Sequence, residues 1–337
     1  MERVDELERG RACCVRRAWL DAYESLSRAE RLAPLEGEDI ELLATAAYMV
    51  GREDDFVSCL ERAHQLHLDA GATLPAVRCA LWIGFALALR GEAGPAGGWF
   101  GRARRLVERV DADCVERGWL LLPAVLQQAS AKEWEAVATT AAEAGQVAER
   151  FGDRDLFALA AHEQGHALVR NGQPVEGFAL MDEAMVAAVN GELSAVVTGL
   201  VYCGVIAYCQ ELHDPRRAAE WTAALTRWCD QQPQMVAYTG QCLVHRAEIL
   251  QTRGAWAEAL EEARQAFDRL MQVTRPGLAG HARYRQGELY RVQGELDAAE
   301  EAYRDASRLG FQPHRAWRCC ALRKARVAWR SRRSAGR

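Results

Sequence analysis

A unit of about 40 residues repeats along the chain, and this repeat restricts the possible folds more than any other feature. Small or apolar residues stand at Ala22, Phe56, Ala96, Val137, Gly177, Ala218, Ala259 and Ala299, spaced by 34 residues once and by 40 or 41 thereafter. Seven residues beyond each lies Ala29, Ala63, Ala103, Ala144, Ala184, Leu225, Ala266 or Ala306, so alanine fills seven of the eight places. Twelve residues before each lies Gly10, Ala44, Gly84, Val125, Gly165, Ile206, Ala247 or Gly287, again mostly Gly or Ala. Turn signals separate the two rows: GRED after Val50, RGEAG after Leu89, NGQP after Arg170, HDPR after Leu212, RGAW after Thr252 and QGEL after Val292. Each unit therefore reads as helix, short turn, helix. Small residues in both rows let neighbouring helices approach closely. One such unit cannot bury its apolar face, so the units must stack, and the chain is predicted to be all-α.

The last unit, YRQGELYRVQGELDAAEEAYRDA, resembles the tetratricopeptide repeat (TPR), with Gly287, Tyr290, Gly294, Ala299, Tyr303 and Ala306 at the family's positions. The period near 40 exceeds the family's usual 34 and implies longer helices or loops. The resemblance covers residues 2–310 and implies a TPR-like solenoid of about eight helix-turn-helix repeats. The expected layout is a repeat domain over 1–310 and a basic tail over 311–337. A TPR groove binds a peptide, a partner domain or a small effector. The first-helix positions that face the groove in this family are held here by His162, His166, Phe85, Leu126, Glu248 and Glu288. A groove mixing apolar and ionisable residues suits ligand capture.

Composition removes several function classes. The 42 basic and 47 acidic residues give a net charge of −5, which argues against a dedicated nucleic-acid-binding chain. Lys132 and Lys324 are the only lysines, and neither follows a glycine, so a Walker-type phosphate loop is excluded. The eleven cysteines include no Cys-x-x-Cys pair and read as reduced thiols packed as small hydrophobes. The start, MERVDELERGR, is charged from its second residue and leads into no secretory segment, which points to the cytoplasm. Residues 193–210 carry no charge and reach the lower length limit of a membrane span. The repeat register makes them one buried helix among equals.

The wording between the repeat positions is more specific. The stretches CALWIGFALALRGE, AERFGDRDLFALA, GLVYCGVIAYCQEL, GQCLVHRAEILQTRGAW and GELDAAEEAYRDASRLG look like the TPR-rich region of LuxR-type transcriptional regulators from high-GC actinobacteria. In that family such a region precedes a DNA-binding helix-turn-helix. None is recognised after Ala306, so specific DNA binding by this chain is not expected. Residues 315–337 instead hold eight arginines, one lysine and no acid. The codons required for His314-Arg-Ala-Trp-Arg-Cys-Cys, read one base earlier, spell Pro-Gly-Leu-Ala-Leu-Leu for a GC-rich gene. That is similar to the way the family begins its next helix. A frameshift at about His314 is the expectation, leaving an uncapped last repeat that could self-associate.

One catalytic motif has to be weighed. His162-Glu163-Gln164-Gly165-His166 matches His-Glu-x-x-His, in which two histidines one helical turn apart share zinc and the glutamate acts as base. Gly165 is already explained as the small residue of the fifth repeat, and no following segment supplies a recognisable third ligand. His162 and His166 are at most weak metal candidates. The expectation is a binding module without catalytic residues or cofactor, with an interaction scaffold or a zinc hydrolase as the alternatives. Trp19, Trp134 and Trp256, each three residues before a repeat position, are expected to cap the turn between helices.

Overall fold

The computed structural model of the chain describes residues 2–271 and 276–312. The basic tail expected beyond the repeats lies outside the described residues from 313 onward, as does the frameshift expected at His314. Among the described residues the regular elements are all helices, and they form eight pairs. In chain order these are α1 (Glu2–Val15) with α2 (Trp19–Leu32), α3 (Glu38–Met49) with α4 (Glu53–Asp69), and α5 (Thr73–Leu89) with α6 (Ala93–Val107). After the short α7 (Glu116–Trp119) come α8 (Leu122–Ala131) with α9 (Trp134–Phe151), and α10 (Arg154–Arg170) with α11 (Pro174–Val189). Then follow α12 (Ala195–Glu211) with α13 (Pro215–Asp230), α14 (Thr239–Thr252) with α15 (Trp256–Leu270), and α16 (Pro276–Gln293) with α17 (Leu296–Arg308). The fold is an all-α, TPR-like helical repeat. No helix of the described residues is long and apolar enough to cross a membrane. Residues 193–210 contribute the buried α12, whose Val197, Val201, Val205 and Cys209 are fully covered.

The register holds at every repeat. Each second helix starts three residues before its repeat position, from Trp19 to Leu296. Trp19, Trp134 and Trp256 are therefore first residues of α2, α9 and α15, where an aromatic ring can cover the turn. The alanines at the seventh following position are all buried. The four glycines that stand twelve residues before a repeat position each receive one side chain of the second helix. A Cβ on Gly10 would meet Leu26, on Gly84 Phe100, on Gly165 Met181 and on Gly287 Tyr303. The partner is always sixteen residues on. Size complementarity between a missing side chain and a large one thus sets the distance within the pair.

The turns are equally regular. Five residues before each repeat position the backbone turns left-handed: Gly51, Gly91, Gly172, Gly254 and Gly294, but also Arg17, Lys132 and His213. The next residue's N–H then reaches five residues back, as in Arg52 to the Ala47 carbonyl and Asp214 to Cys209, which closes the preceding helix. At the three non-glycine positions a Cβ crowds the backbone, at about 1–2 kcal/mol each. Lys132 and His213 are exposed. The double variant Lys132→Gly/His213→Gly should therefore be more stable than wild type, by about 1 kcal/mol after the glycines' extra unfolded entropy is subtracted. A urea midpoint at or below the wild-type value would show that these turns carry no strain.

Backbone contacts divide the chain into two compact units, Met1–Met235 and Val236–Arg337. The second holds the last two pairs. Its core joins Leu243, Val244 and Ala266 to Ala279 and Ala282 of the next helix, so Ala266 sits where the sequence requires a small residue. The first unit holds six pairs and closes on itself. The Trp19 indole N–H donates to Gln232 Oε1 at 2.9 Å, and Gln234 Oε1 accepts from the backbone N–H groups of Leu20 and Asp21 at 3.1 and 3.3 Å. Gln234 Nε2 donates in turn to Asp21 Oδ2 at 2.9 Å. These glutamines follow α13, so the end of the sixth pair is tied to the start of α2. Helices α3 and α12 also touch.

Candidate functional site

The first unit holds a cavity of about 860 Å³, walled by side chains of repeats two to six and open to solvent along the exposed Leu89, Gly97 and Leu126. One side is aromatic. Trp82 and Phe85 on α5 and Phe100 on α6 form an edge-to-face cluster, with ring centroids 5.9 and 5.2 Å apart. The first helices of later repeats add Leu126, Leu159 and Leu200. The polar end comes from His162 and Glu163 on α10 and Tyr208 on α12. Neither α10 nor α12 is strongly one-sided in its apolar pattern. Both pack on more than one face, which brings polar residues of the helix inside the unit.

Glu163 is the centre of that end. It is 6% exposed. Its Oε1 accepts the Tyr208 hydroxyl hydrogen at 2.9 Å and lies 3.4 Å from His162 Nε2. Burial works to raise the carboxyl, but the bond from His162, its charge and the Tyr208 hydroxyl outweigh it and hold Glu163 below the ordinary range. Glu163 Oε2 is buried with no hydrogen-bond partner. Burial, with Glu163 beside it, drives the Tyr208 phenol far up, so it stays a neutral donor. Tyr208 also stacks flat on His166, ring centroids 3.8 Å apart, and more loosely on His162 at 5.9 Å. Trp134 packs edge-on against His166 at 5.0 Å.

Four of the six residues named from the sequence belong to this region, in a changed setting. Phe85, Leu126 and His162 line the cavity. His166 lies one turn further along α10, pressed between Tyr208 and Trp134. The histidines are not solvated groove residues: His162 is 6% and His166 3% exposed. The next repeat's first helix, α12, lies against α10 and covers this face with Tyr208 and Gly204, while Trp134 of α9 covers His166 from the other side. A Cβ on Gly204 of α12 would come within 2.9 Å of His162 Nε2. Glu248 and Glu288 belong to the second unit and are engaged by cations. Glu248 pairs with Arg285 and lies 3.4 Å from His281 Nε2. Burial would raise its carboxyl, but His245, His281 and Arg285 hold it well below the usual range. Glu288 accepts from Arg291 at 2.6 and 3.1 Å and from the Tyr303 hydroxyl at 2.5 Å.

Sequence reasoning missed Glu163 as a binding group, along with Trp82, Phe100 and Tyr208. The signal was present one row away on the same helices. Trp82 and Glu163 both stand fourteen residues before their repeat positions, and Tyr208 stands ten before its own. Zinc chemistry at HEQGH would need Glu163 facing a metal-bound water; its Oε1 instead receives Tyr208. Three other donors do come together. Glu41, His67 and Cys79, on α3, α4 and α5, lie with their ligand atoms within 4.8 Å of one another. His67 Nε2 is 2.6 Å from Glu41 Oε1, and burial pushes the Cys79 thiol up to about 12. A neutral thiol beside an occupied imidazole reads as core packing.

The buried histidine has a consequence for stability. Burial lowers His166 to about 4, despite the opposing pull of Glu163. The unfolded chain binds this proton near pH 6.5 and the folded chain only near 4, so the unfolded state gains protons first as pH falls. The contribution is complete above 6.5 and is lost progressively down to 4, by about 2–3 kcal/mol. His166→Phe keeps a ring in the stack and removes the proton. Urea midpoints of the variant should fall less steeply than wild type between pH 6.5 and 4; parallel curves would place the acid sensitivity elsewhere.

No protein-family model matches the chain, and no curated protein matches it. Solved structures do. The APC/C hetero-tetramer Cut9-Hcn1 aligns at TM-score 0.59 and 14% identity, over 89% of this chain and 53% of that one. The Rap conjugation gene regulator of the plasmid pLS20, in complex with the Phr* peptide, aligns at TM-score 0.50 and 15% identity, over 90% of this chain and 72% of that one. This chain spans about half the length of the first. At these identities the likeness concerns the fold.

Proposed function

We propose that the chain is the effector-binding TPR region of a LuxR-type transcriptional regulator from an actinobacterium, working in the cytoplasm, with the effector seated in the cavity of the first unit. The observation that carries the reading is the cavity itself. Its volume falls within the range of small-molecule sites, and its walls are apolar with a few convergent polar groups. Five successive repeats contribute to it, so an occupant would alter contacts along most of the first unit. That suits a module whose output is a change of shape passed to another domain. Binding, with no bond made or broken, is the proposed activity. The LuxR assignment rests on the stretches between the repeat positions, together with a repeat domain reaching residue 310 and a basic segment after it.

The Rap regulator of pLS20 holds the Phr* peptide. A peptide or partner segment is the second reading for this chain, favoured by a cavity wall that runs across five repeats.

Gly97 offers a clean test. It lines the cavity, and a Cβ there would meet nothing within 4 Å. Gly97 is exposed at the cavity's open side, so Gly97→Trp should obstruct the entrance without a backbone clash and leave stability equal or up to about 1 kcal/mol higher, since glycine inside α6 is a weak helix former. Small molecules that raise the melting temperature of the wild-type chain should have no effect on the variant. Equal shifts in both proteins would remove the effector from the cavity. Sequencing the gene past the His314 codons tests the regulator reading: a next frame encoding a helix-turn-helix is expected, and its absence would leave an interaction scaffold.

A further inference from the structure

Resting on the reading that the cavity of the first unit holds a ligand, we infer that this ligand is an apolar, largely aromatic small molecule carrying one positively charged nitrogen, which Glu163 receives. The cavity's charge is one-sided. No Arg or Lys is among its lining residues, and Glu163 is its only carboxylate. That carboxylate is buried, with one oxygen taken by Tyr208 and faced by His162 and the other without a partner. A buried carboxylate oxygen left unpaired is costly, and a donor arriving with a ligand removes the cost. A neutral donor would complete the hydrogen bond alone; a cationic nitrogen adds an ion pair at the oxygen that His162 does not face. An anion would meet Glu163 with no Arg or Lys on the cavity wall to hold it, and with His162 already turned to that carboxylate.

The opposite wall fits the same class. Trp82, Phe85 and Phe100 present an aromatic cluster, whose ring faces attract a cation and whose area covers an apolar frame. The faces of Tyr208 are engaged by the histidines, so its contribution is to fix the carboxylate through its hydroxyl. Recognition thus divides into an apolar body against α5 and α6 and a charged head against α10.

Three dyes of similar size separate the terms: rhodamine 6G, a xanthene cation; Nile red, neutral; and fluorescein, a xanthene dianion. Fluorescence anisotropy with the full chain should give rhodamine 6G a Kd at least tenfold below that of Nile red, with fluorescein weakest. Glu163→Gln should weaken rhodamine 6G by tenfold or more and leave Nile red within twofold. Gly97→Trp should abolish both. Equal affinity for rhodamine 6G and Nile red in wild type overturns the cation assignment while leaving the cavity as a ligand site. Dye binding that survives Gly97→Trp, or no binding of any dye, overturns the cavity reading as well. Should Glu163→Gln fail to fold, the wild-type ratio of cation to neutral dye decides alone.

Discussion

Gly165→Ala, the addition of a single methyl group, should destabilise the first unit by about 3 kcal/mol or more. The Cβ it introduces would lie 2.5 Å from the backbone carbonyl oxygen of Gly177 and 2.9 Å from Met181 Cγ. Side chains can rotate away from an intruder, but a carbonyl inside a helix cannot. Gly177 faces Gly165 reciprocally, its own Cβ position 2.5 Å from the Gly165 carbonyl oxygen. Helices α10 and α11 therefore meet backbone to backbone, and relief requires the whole pair to separate. Overpacking of ordinary cores costs about 1–3 kcal/mol, and a contact with rigid backbone belongs at or above the upper end. Gly98→Ala is the control. Nothing lies within 4 Å of a Cβ there. It should raise stability by up to about 1 kcal/mol through helix propensity. Equilibrium urea unfolding distinguishes the two; similar midpoints would mean the α10–α11 approach is looser than these distances. The same comparison bears on HEQGH, because it accounts for the motif's glycine by helix packing and needs no metal.

The repeat was legible because it is written in side-chain size. Small residues at two fixed offsets gave eight helix pairs and placed each second helix to the residue. The left-handed turn position was legible at the five repeats where glycine fills it. At Arg17, Lys132 and His213 the same conformation is imposed by the flanking helices, and the residue type carries no trace of it. Self-closure of the first unit left no periodic signal either. It depends on Gln232 and Gln234 in a connecting segment, hydrogen-bonded to residues more than 200 positions earlier. The burial of His162 and His166 has a different source: Tyr208 and Gly204 of the next repeat and Trp134 of the preceding one cover them, and residue type alone does not reveal which neighbours meet a groove position. Phe85 and Leu126 survive the change of setting because an apolar wall serves a groove and a cavity alike. Glu248 and Glu288 do not stand free, since the arginines that engage them lie on α16, where sequence alone does not reveal which carboxylate each one meets.

Tyr208→Ala should be the most damaging substitution at the polar end of the cavity, at about 3 kcal/mol. Two losses coincide. The ring leaves its stack with His166, opening a void beside a histidine that is 3% exposed. The hydroxyl that donates to Glu163 Oε1 goes as well, so a buried carboxylate with one oxygen already unpaired loses the 2.9 Å bond at the other. Ring truncations in cores cost about 3–5 kcal/mol, and Tyr208, only half-buried, stands at the lower edge. Tyr208→Phe divides the total: the stack survives, the hydroxyl does not, and the cost should fall to about 1–2 kcal/mol. The Phe variant also changes the acid limb. The hydroxyl helps to hold Glu163 low, so its removal moves that carboxyl upward. A folded-state pKa below the unfolded one lends stability that is present above the unfolded value and disappears as pH falls through the folded one. Raising the folded value shrinks that contribution, so Tyr208→Phe should be penalised more at pH 7 than at pH 3. A penalty that does not change with pH would mean that the hydroxyl holds the fold in place without stabilising the charge on Glu163.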